Sequence, residues 1–123
     1  MTARDLVLGY FTAWTTKRSA DAFALLAPDL EFSGPGATYK TSAEFRPGLE
    51  AFAQMTRSAT LLELLVDGDR VAMLYDWEMP LGTIRIASFF RVKDGKIRWY
   101  DTRFDPTKLN ELRAQRPQHR DPP

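Results

Sequence analysis

Residues 70–105 read RVAMLYDWEMPLGTIRIASFFRVKDGKIRWYDTRFD, and this stretch decides the fold class. Apolar and polar residues alternate along it with a period of two, interrupted at Leu81-Gly82 and Asp94-Gly95. Such alternation marks strands with one buried face, and Asp-Gly between two runs is a strong hairpin signal. A preceding run ends at Asp67-Gly68, so four strands are expected over residues 60–67, 70–79, 83–93 and 96–105.

Two-residue loops set the register of a hairpin. With Leu81-Gly82 and Asp94-Gly95 as the loops, Tyr75 falls opposite Ser88, Ser88 opposite Asp101, Trp77 opposite Ile86, and Phe90 opposite Trp99. One face then carries Met73, Tyr75, Trp77, Ile86, Ser88, Phe90, Trp99, Asp101 and Arg103, nearly all of it apolar, with a polar row at Tyr75, Ser88 and Asp101. The other face pairs Glu78 with Arg85, Phe89 with Tyr100 and Arg91 with Arg98. A single β-bulge reverses every face beyond it. One near residue 98 turns Asp101 outward and brings Tyr100 and Thr102 inward. The outer face is half apolar and rimmed by charge, which predicts a homodimer through it.

Upstream, the pattern is helical. Thr2 caps a helix over 2–16 with Leu6, Tyr10 and Trp14 on one stripe, and Ser19 caps a second over 19–27 that ends at Pro28. Leu30-Glu31-Phe32 is a short strand stopped by Gly34-Pro35-Gly36, and a third helix starts at Ser42 or Pro47 with Phe45, Leu49 and Phe52 on one face. Helices followed by a run of antiparallel strands give an α+β domain over 1–106, its helices on one face of a curved sheet. Residues 107–123 are set apart as a helical turn with Leu109 and Leu112 followed by a polar, Pro-rich, disordered tail.

Composition narrows the chemistry. With 17 Lys+Arg against 16 Asp+Glu in 123 residues, the near-neutral balance speaks against nucleic acid as a partner. No apolar run reaches the roughly 18 residues a bilayer needs, and MTARDLVLGY does not read as a signal peptide, so a cytoplasmic protein is expected. Cysteine is absent and the single histidine, His119, lies in the tail, which removes the usual ligands of zinc and haem and the base of a Ser-His-Asp triad. No cofactor or metal is expected. Carboxylates, tyrosines and arginines remain.

The segments LVLGYFTAWTTKRSADAFALLAPDLEF, YKTSAEFRPGLEAF and RVKDGKIRWYDTRFDP carry a resemblance to the NTF2-like superfamily, in particular its SnoaL-like branch, over roughly residues 4–106. That resemblance implies a cone in which a curved sheet wraps helices around a deep apolar pocket. It implies a place among polyketide cyclases, ketosteroid isomerases and limonene-type epoxide hydrolases, or among non-catalytic binding domains. In it, Tyr10 matches the oxyanion-hole tyrosine of the steroid isomerases, Gly34 stands at their base aspartate, and Ser88 or Ala87 at their protonated acid. Against the epoxide hydrolases, Asp101 or Thr102 matches the second acid, while Tyr75 and Trp77 stand at the arginine and first acid. In cyclases a single pocket aspartate is the general acid/base, a part open to Asp101.

Three readings of Asp101 follow from the residues. It is a pocket carboxylate whose raised pKa suits proton transfer, a structural partner of Arg103, Ser88 or Tyr75, or an outward-facing group. The functional expectation is a cofactor-free isomerase, cyclase or hydrolase acting on a hydrophobic small molecule. Asp101, Tyr75 and Tyr10 would be catalytic, and Trp14, Ser88, Trp77, Phe90, Trp99 and Arg103 would line the substrate. The alternatives are a non-catalytic small-molecule-binding domain and a structural dimer with a filled core.

Overall fold

The computed structural model describes residues 1–115. Its elements are α1 (Ala3–Thr15), α2 (Ser19–Phe23), β1 (Leu26–Gly34), β2 (Ala37–Tyr39), α3 (Ser42–Met55), β3 (Ser58–Asp67), β4 (Arg70–Met79), β5 (Gly82–Lys93), β6 (Lys96–Arg103) and α4 (Thr107–Gln115). They form an α+β fold with one six-stranded sheet in the order β2-β1-β6-β5-β4-β3. Every pairing is antiparallel except β1 with β6, which is parallel. No helix among the described residues is long and apolar enough to cross a membrane.

The helix starts follow from capping. The Thr2 hydroxyl accepts from the Asp5 amide at 3.1 Å, and Thr41 accepts from Glu44 in the same way at 3.1 Å. Helix α3 therefore begins at Ser42, and Pro47 sits one turn inside it, where only a single backbone donor is lost. Helix α1 buries Leu6, Val7, Tyr10, Phe11, Ala13 and Trp14 against the concave face of the sheet.

Several expectations need correction. Helix α2 is one short turn, and the chain leaves it early to run β1 from Leu26 through Pro28 to Gly34. Pro28 is tolerated because the β1–β6 ladder is irregular between Leu26 and Glu31, so no amide is needed there. Beyond Pro106 the chain forms a nine-residue helix, α4, whose Leu109 is buried in the main core. Asp105 caps it, its Oδ1 accepting from the Thr107 amide at 3.0 Å and from the Thr107 hydroxyl at 2.7 Å, and those bonds hold the Asp105 carboxyl below its ordinary pKa. The disordered tail expected over the last residues lies outside the described residues from 116 onward.

Register decides which residues reach the core. The β5–β6 hairpin turns at Asp94-Gly95 with positive φ at both (53° and 75°), as a type I′ turn demands. The β4–β5 loop is Pro80-Leu81 rather than Leu81-Gly82, since Met79 pairs with Gly82. That slip is two residues, so every side chain keeps its face while its partner changes. Tyr75 thus pairs with Ile86, and Arg85 meets Asp76 rather than Glu78, with bonds of 2.8 and 3.1 Å. Glu78 instead accepts from the Ser58 hydroxyl at 2.7 Å.

The slip in β6 is different in kind. Val92 pairs with Ile97 but Arg91 with Trp99, so Arg98 is the extra residue of a β-bulge. Every residue beyond it changes face. Tyr100 and Thr102 point into the core, at 5% and 7% exposure, opposite Phe90 and Ser88. Trp99, Asp101 and Arg103 lie on the outer face, contrary to the unbulged register. Arg91 therefore packs over the Trp99 ring (5.1 Å) rather than against Arg98, and Phe89 pairs with Asp101 rather than Tyr100. The freed Arg98 reaches Asp29 at 3.1 Å and Glu31 at 3.8 Å. The bulge keeps Asp101 and Arg103 out of an apolar core, where unpaired charge is costly.

Candidate functional site

Between α1, α3, α4 and the concave sheet lies a pocket of about 100 Å³. Its depth is aromatic: Tyr10 and Trp14 from α1, Phe32 from β1, Phe45 and Phe52 from α3, Tyr75 from β4, and Tyr100 from β6. Thr102, Gly34, Phe104, Leu109 and Arg113 complete its wall and mouth. The volume is about two thirds of the roughly 150 Å³ of an apolar cavity that takes up benzene, so one small ring is the upper limit of what it encloses. The aromatics hold one another edge-on and stacked: Tyr10 meets Tyr100 at 5.4 Å and 86°, and Tyr100 stacks on Phe90 at 4.6 Å. Gly34 matters at the rim, because a Cβ there would lie 2.9 Å from the Phe32 ring and 3.1 Å from the Thr102 methyl.

Polarity in this pocket comes from hydroxyls. Burial pushes the Tyr100 phenol up to about 12, with the Tyr10 and Ser88 hydroxyls pulling partly the other way. Burial drives Tyr10 and Tyr75 well above the ordinary tyrosine value too, and the nearby Tyr100 adds to both shifts. All three are thus neutral phenols, and hence hydrogen-bond donors, at any physiological pH. Ser88 and Thr102 satisfy each other across β5 and β6 at 2.9 Å. The Tyr10 hydroxyl is fully buried and has no hydrogen-bond partner among the described residues. The Tyr100 hydroxyl lies beside it and acts on it through charge and a weak hydroxyl–hydroxyl contact that falls short of full hydrogen-bond geometry. Buried hydroxyls are ordinarily partnered, so an orphan in the wall of a pocket points to an acceptor brought by a ligand.

The expected site residues divide three ways. Tyr10, Tyr75 and Trp14 line the pocket. Trp77, Ser88 and Phe90 face the same side but sit behind the wall as packing. Trp77 stacks on Phe52 at 4.7 Å and 8°, and its Nε1 donates to the Thr56 hydroxyl at 2.8 Å. Asp101, Trp99 and Arg103 are on the opposite side of the sheet. There Asp101 is gripped by Arg103, Nε to Oδ1 at 3.0 Å and Nη2 to Oδ2 at 3.1 Å. Asp101 is therefore held in an ion pair on the outer face and does not line the pocket. The residues not foreseen as lining include Phe32, Phe45, Phe52, Phe104, Leu109 and Arg113. Among the described residues no cluster of His, Cys, Asp or Glu is placed to hold a metal.

A sequence model of the SnoaL-like domain matches residues 7–100. The chain belongs to the SnoaL-like domain family. Solved structures agree on the NTF2-like fold. A crystal structure from Kribbella flavida is 25% identical, covers 91% of this chain and 93% of its own, and superposes with a TM-score of 0.85. An NTF2-like protein of unknown function from Cytophaga hutchinsonii is also 25% identical, with coverage of 89% and 96% and a TM-score of 0.78. A candidate polyketide cyclase from Sinorhizobium meliloti is 24% identical, covers 80% and 93%, and has a TM-score of 0.69. At that identity it speaks for the SnoaL-like fold alone. No curated protein matches the chain.

Proposed function

We propose that this SnoaL-like domain binds a small, largely apolar molecule of about one ring that carries a hydrogen-bond acceptor such as a carbonyl oxygen. The observation that carries this reading is the buried, unpartnered Tyr10 hydroxyl in an otherwise aromatic pocket. Pockets of this kind use apolar surface for affinity and a few placed polar groups for orientation. The same phenols could stabilise an oxyanion, as catalysis in cyclases and isomerases requires. Yet among the described residues no carboxylate or imidazole lines the pocket, so they offer no base at neutral pH. Binding is thus the reading the geometry supports over acid–base turnover.

The test compares acetophenone with ethylbenzene, which differ by one carbonyl, using isothermal titration of the wild type and Tyr10→Phe. The ketone is expected to bind about fivefold to tenfold tighter than the hydrocarbon to the wild type, the worth of one buried hydrogen bond. That preference should vanish in Tyr10→Phe, whose melting temperature should match or exceed the wild type's, because an orphan hydroxyl stabilises nothing. Equal affinity of the two molecules for the wild type would refute the role of Tyr10.

We also propose that the outer sheet face pairs with a second copy of the chain. Leu65 (67% exposed) and Phe89 (44%), both on that face beside Ala72, border a depression of about 350 Å³. Most neighbouring charges are already paired within the chain, Arg70 with Asp67, Arg85 with Asp76 and Arg103 with Asp101, while Arg91 lies over the Trp99 ring. A face whose charges are mostly paired repels its own image across a twofold axis only weakly. Light scattering should give a dimer for the wild type and a folded monomer for Phe89→Glu. A monomeric wild type would end this proposal.

A further inference from the structure

Among the described residues that line the pocket, Arg113 alone carries a charge. It stands four residues after the buried Leu109, so the two share one face of α4, with Leu109 in the wall and Arg113 exposed at the mouth. No carboxylate among the described residues lies within ion-pair distance of it. Arg18, Arg46, Arg70, Arg85, Arg98 and Arg103 each meet an acid of their own chain, whereas Arg113, like Arg4, Arg57 and Arg91, meets none among the described residues and differs from those three in lining the pocket. An uncompensated guanidinium at the rim of a low-dielectric cavity focuses a positive field on whatever enters, and its planar fork matches a carboxylate.

We propose that the natural ligand is an amphipathic monoanion: a ring-sized apolar body, an acceptor oxygen at its inner end for Tyr10, and a carboxylate at its outer end for Arg113. This inference rests on the pocket reading above and adds the charge and polarity of the ligand to it. An aryl keto acid with its two oxygen groups at opposite ends has that form. The body lies among Phe32, Phe45 and Phe52, and the carboxylate stays at the solvent edge, so no charge is desolvated in the aromatic interior.

The probes are para-acetylbenzoate, its methyl ester and acetophenone, titrated against the wild type, Arg113→Gln and Arg113→Lys. The acid should bind the wild type about fivefold tighter than the ester, the range of a partly exposed ion pair, and lose that margin as salt rises. Arg113→Gln should bind acid and ester alike, leave acetophenone unchanged, and keep the wild-type melting temperature. Arg113→Lys should keep part of the margin. If acetophenone binds but the acid has no advantage in the wild type, the anion inference is wrong while the pocket reading stands. If the advantage survives in Arg113→Gln, Arg113 is not the partner and the inference is wrong. If neither acetophenone nor the acid binds, both readings fall together.

Discussion

Trp77→Ala is expected to lower stability by about 3–5 kcal/mol, the cost of emptying a fully buried tryptophan site. Trp77 is 0% exposed and ties three elements together. Its ring stacks on Phe52 of α3, meets Trp14 of α1 edge-on at 6.4 Å, and donates to Thr56 just beyond α3. Thr56 in turn donates back to the Phe52 carbonyl at 2.7 Å, closing α3 onto the sheet. Removing the ring leaves a void beneath the pocket that the rigid α3 and β4 cannot both collapse into. Trp77→Phe keeps the stacking and loses the indole donor, so it should cost clearly less. Urea denaturation of the three proteins checks the order. Equal stability for wild type and Trp77→Ala would mean that the helix layer is not anchored on this side chain.

The second large effect is an alkaline transition. Tyr10, Tyr75 and Tyr100 all have folded-state pKa values above that of an exposed phenol, chiefly because burial disfavours the phenolate. A raised folded pKa contributes stability that is complete below the unfolded value and lost as pH climbs toward the folded one. The unfolded value here is near 10.0, and that of folded Tyr100 is about 12. Stability should therefore be level up to about pH 10 and then fall, by roughly 2 kcal/mol for Tyr100 alone by pH 12. The other two buried tyrosines steepen the fall. Phenolate absorbance followed alongside circular dichroism should show these tyrosines ionising together with unfolding. Ionisation of all tyrosines near pH 10 with the fold intact would show the aromatic cluster to be wet.

How far the sequence carried the reading can be followed through β4, β5 and β6. The Asp94-Gly95 turn was legible because two positive-φ positions leave few other residue choices. The error at Pro80-Leu81 was harmless, since a slip of two leaves the faces alone. The bulge at Arg98 was not harmless, and it moved Asp101, Trp99 and Arg103 from pocket to surface. A signal for it was present: the straight register buries Asp101 and Arg103 together, whereas one extra residue replaces them with Tyr100 and Thr102. Weighing the burial of two charges against one bulge favours the bulge.

The pocket itself was only partly legible. Tyr10 and Trp14 followed from the stripe of α1, and Tyr75 from alternation in β4. Phe32 and Arg113 did not, because their place depends on contacts far apart in the chain. Phe32 enters through the parallel pairing of β1 with β6, for which no turn or local spacing gives notice. Arg113 enters because α4 folds back so that Leu109 closes the core. Aromatic residues recur along the entire chain, and only packing decides which of them leave space.

The central claim is that the pocket recognises its ligand with neutral phenols and holds no carboxylate among its described residues. The affinity of the wild type for acetophenone, measured from about pH 5 to pH 9, tests it most directly, since carboxylates and histidines titrate within or near that window while raised-pKa tyrosines do not. The structure predicts a flat profile. A step in affinity with a midpoint below about pH 7 would place a titrating carboxylate beside the ligand, and would contradict both the outward position of Asp101 and the bulge that puts it there.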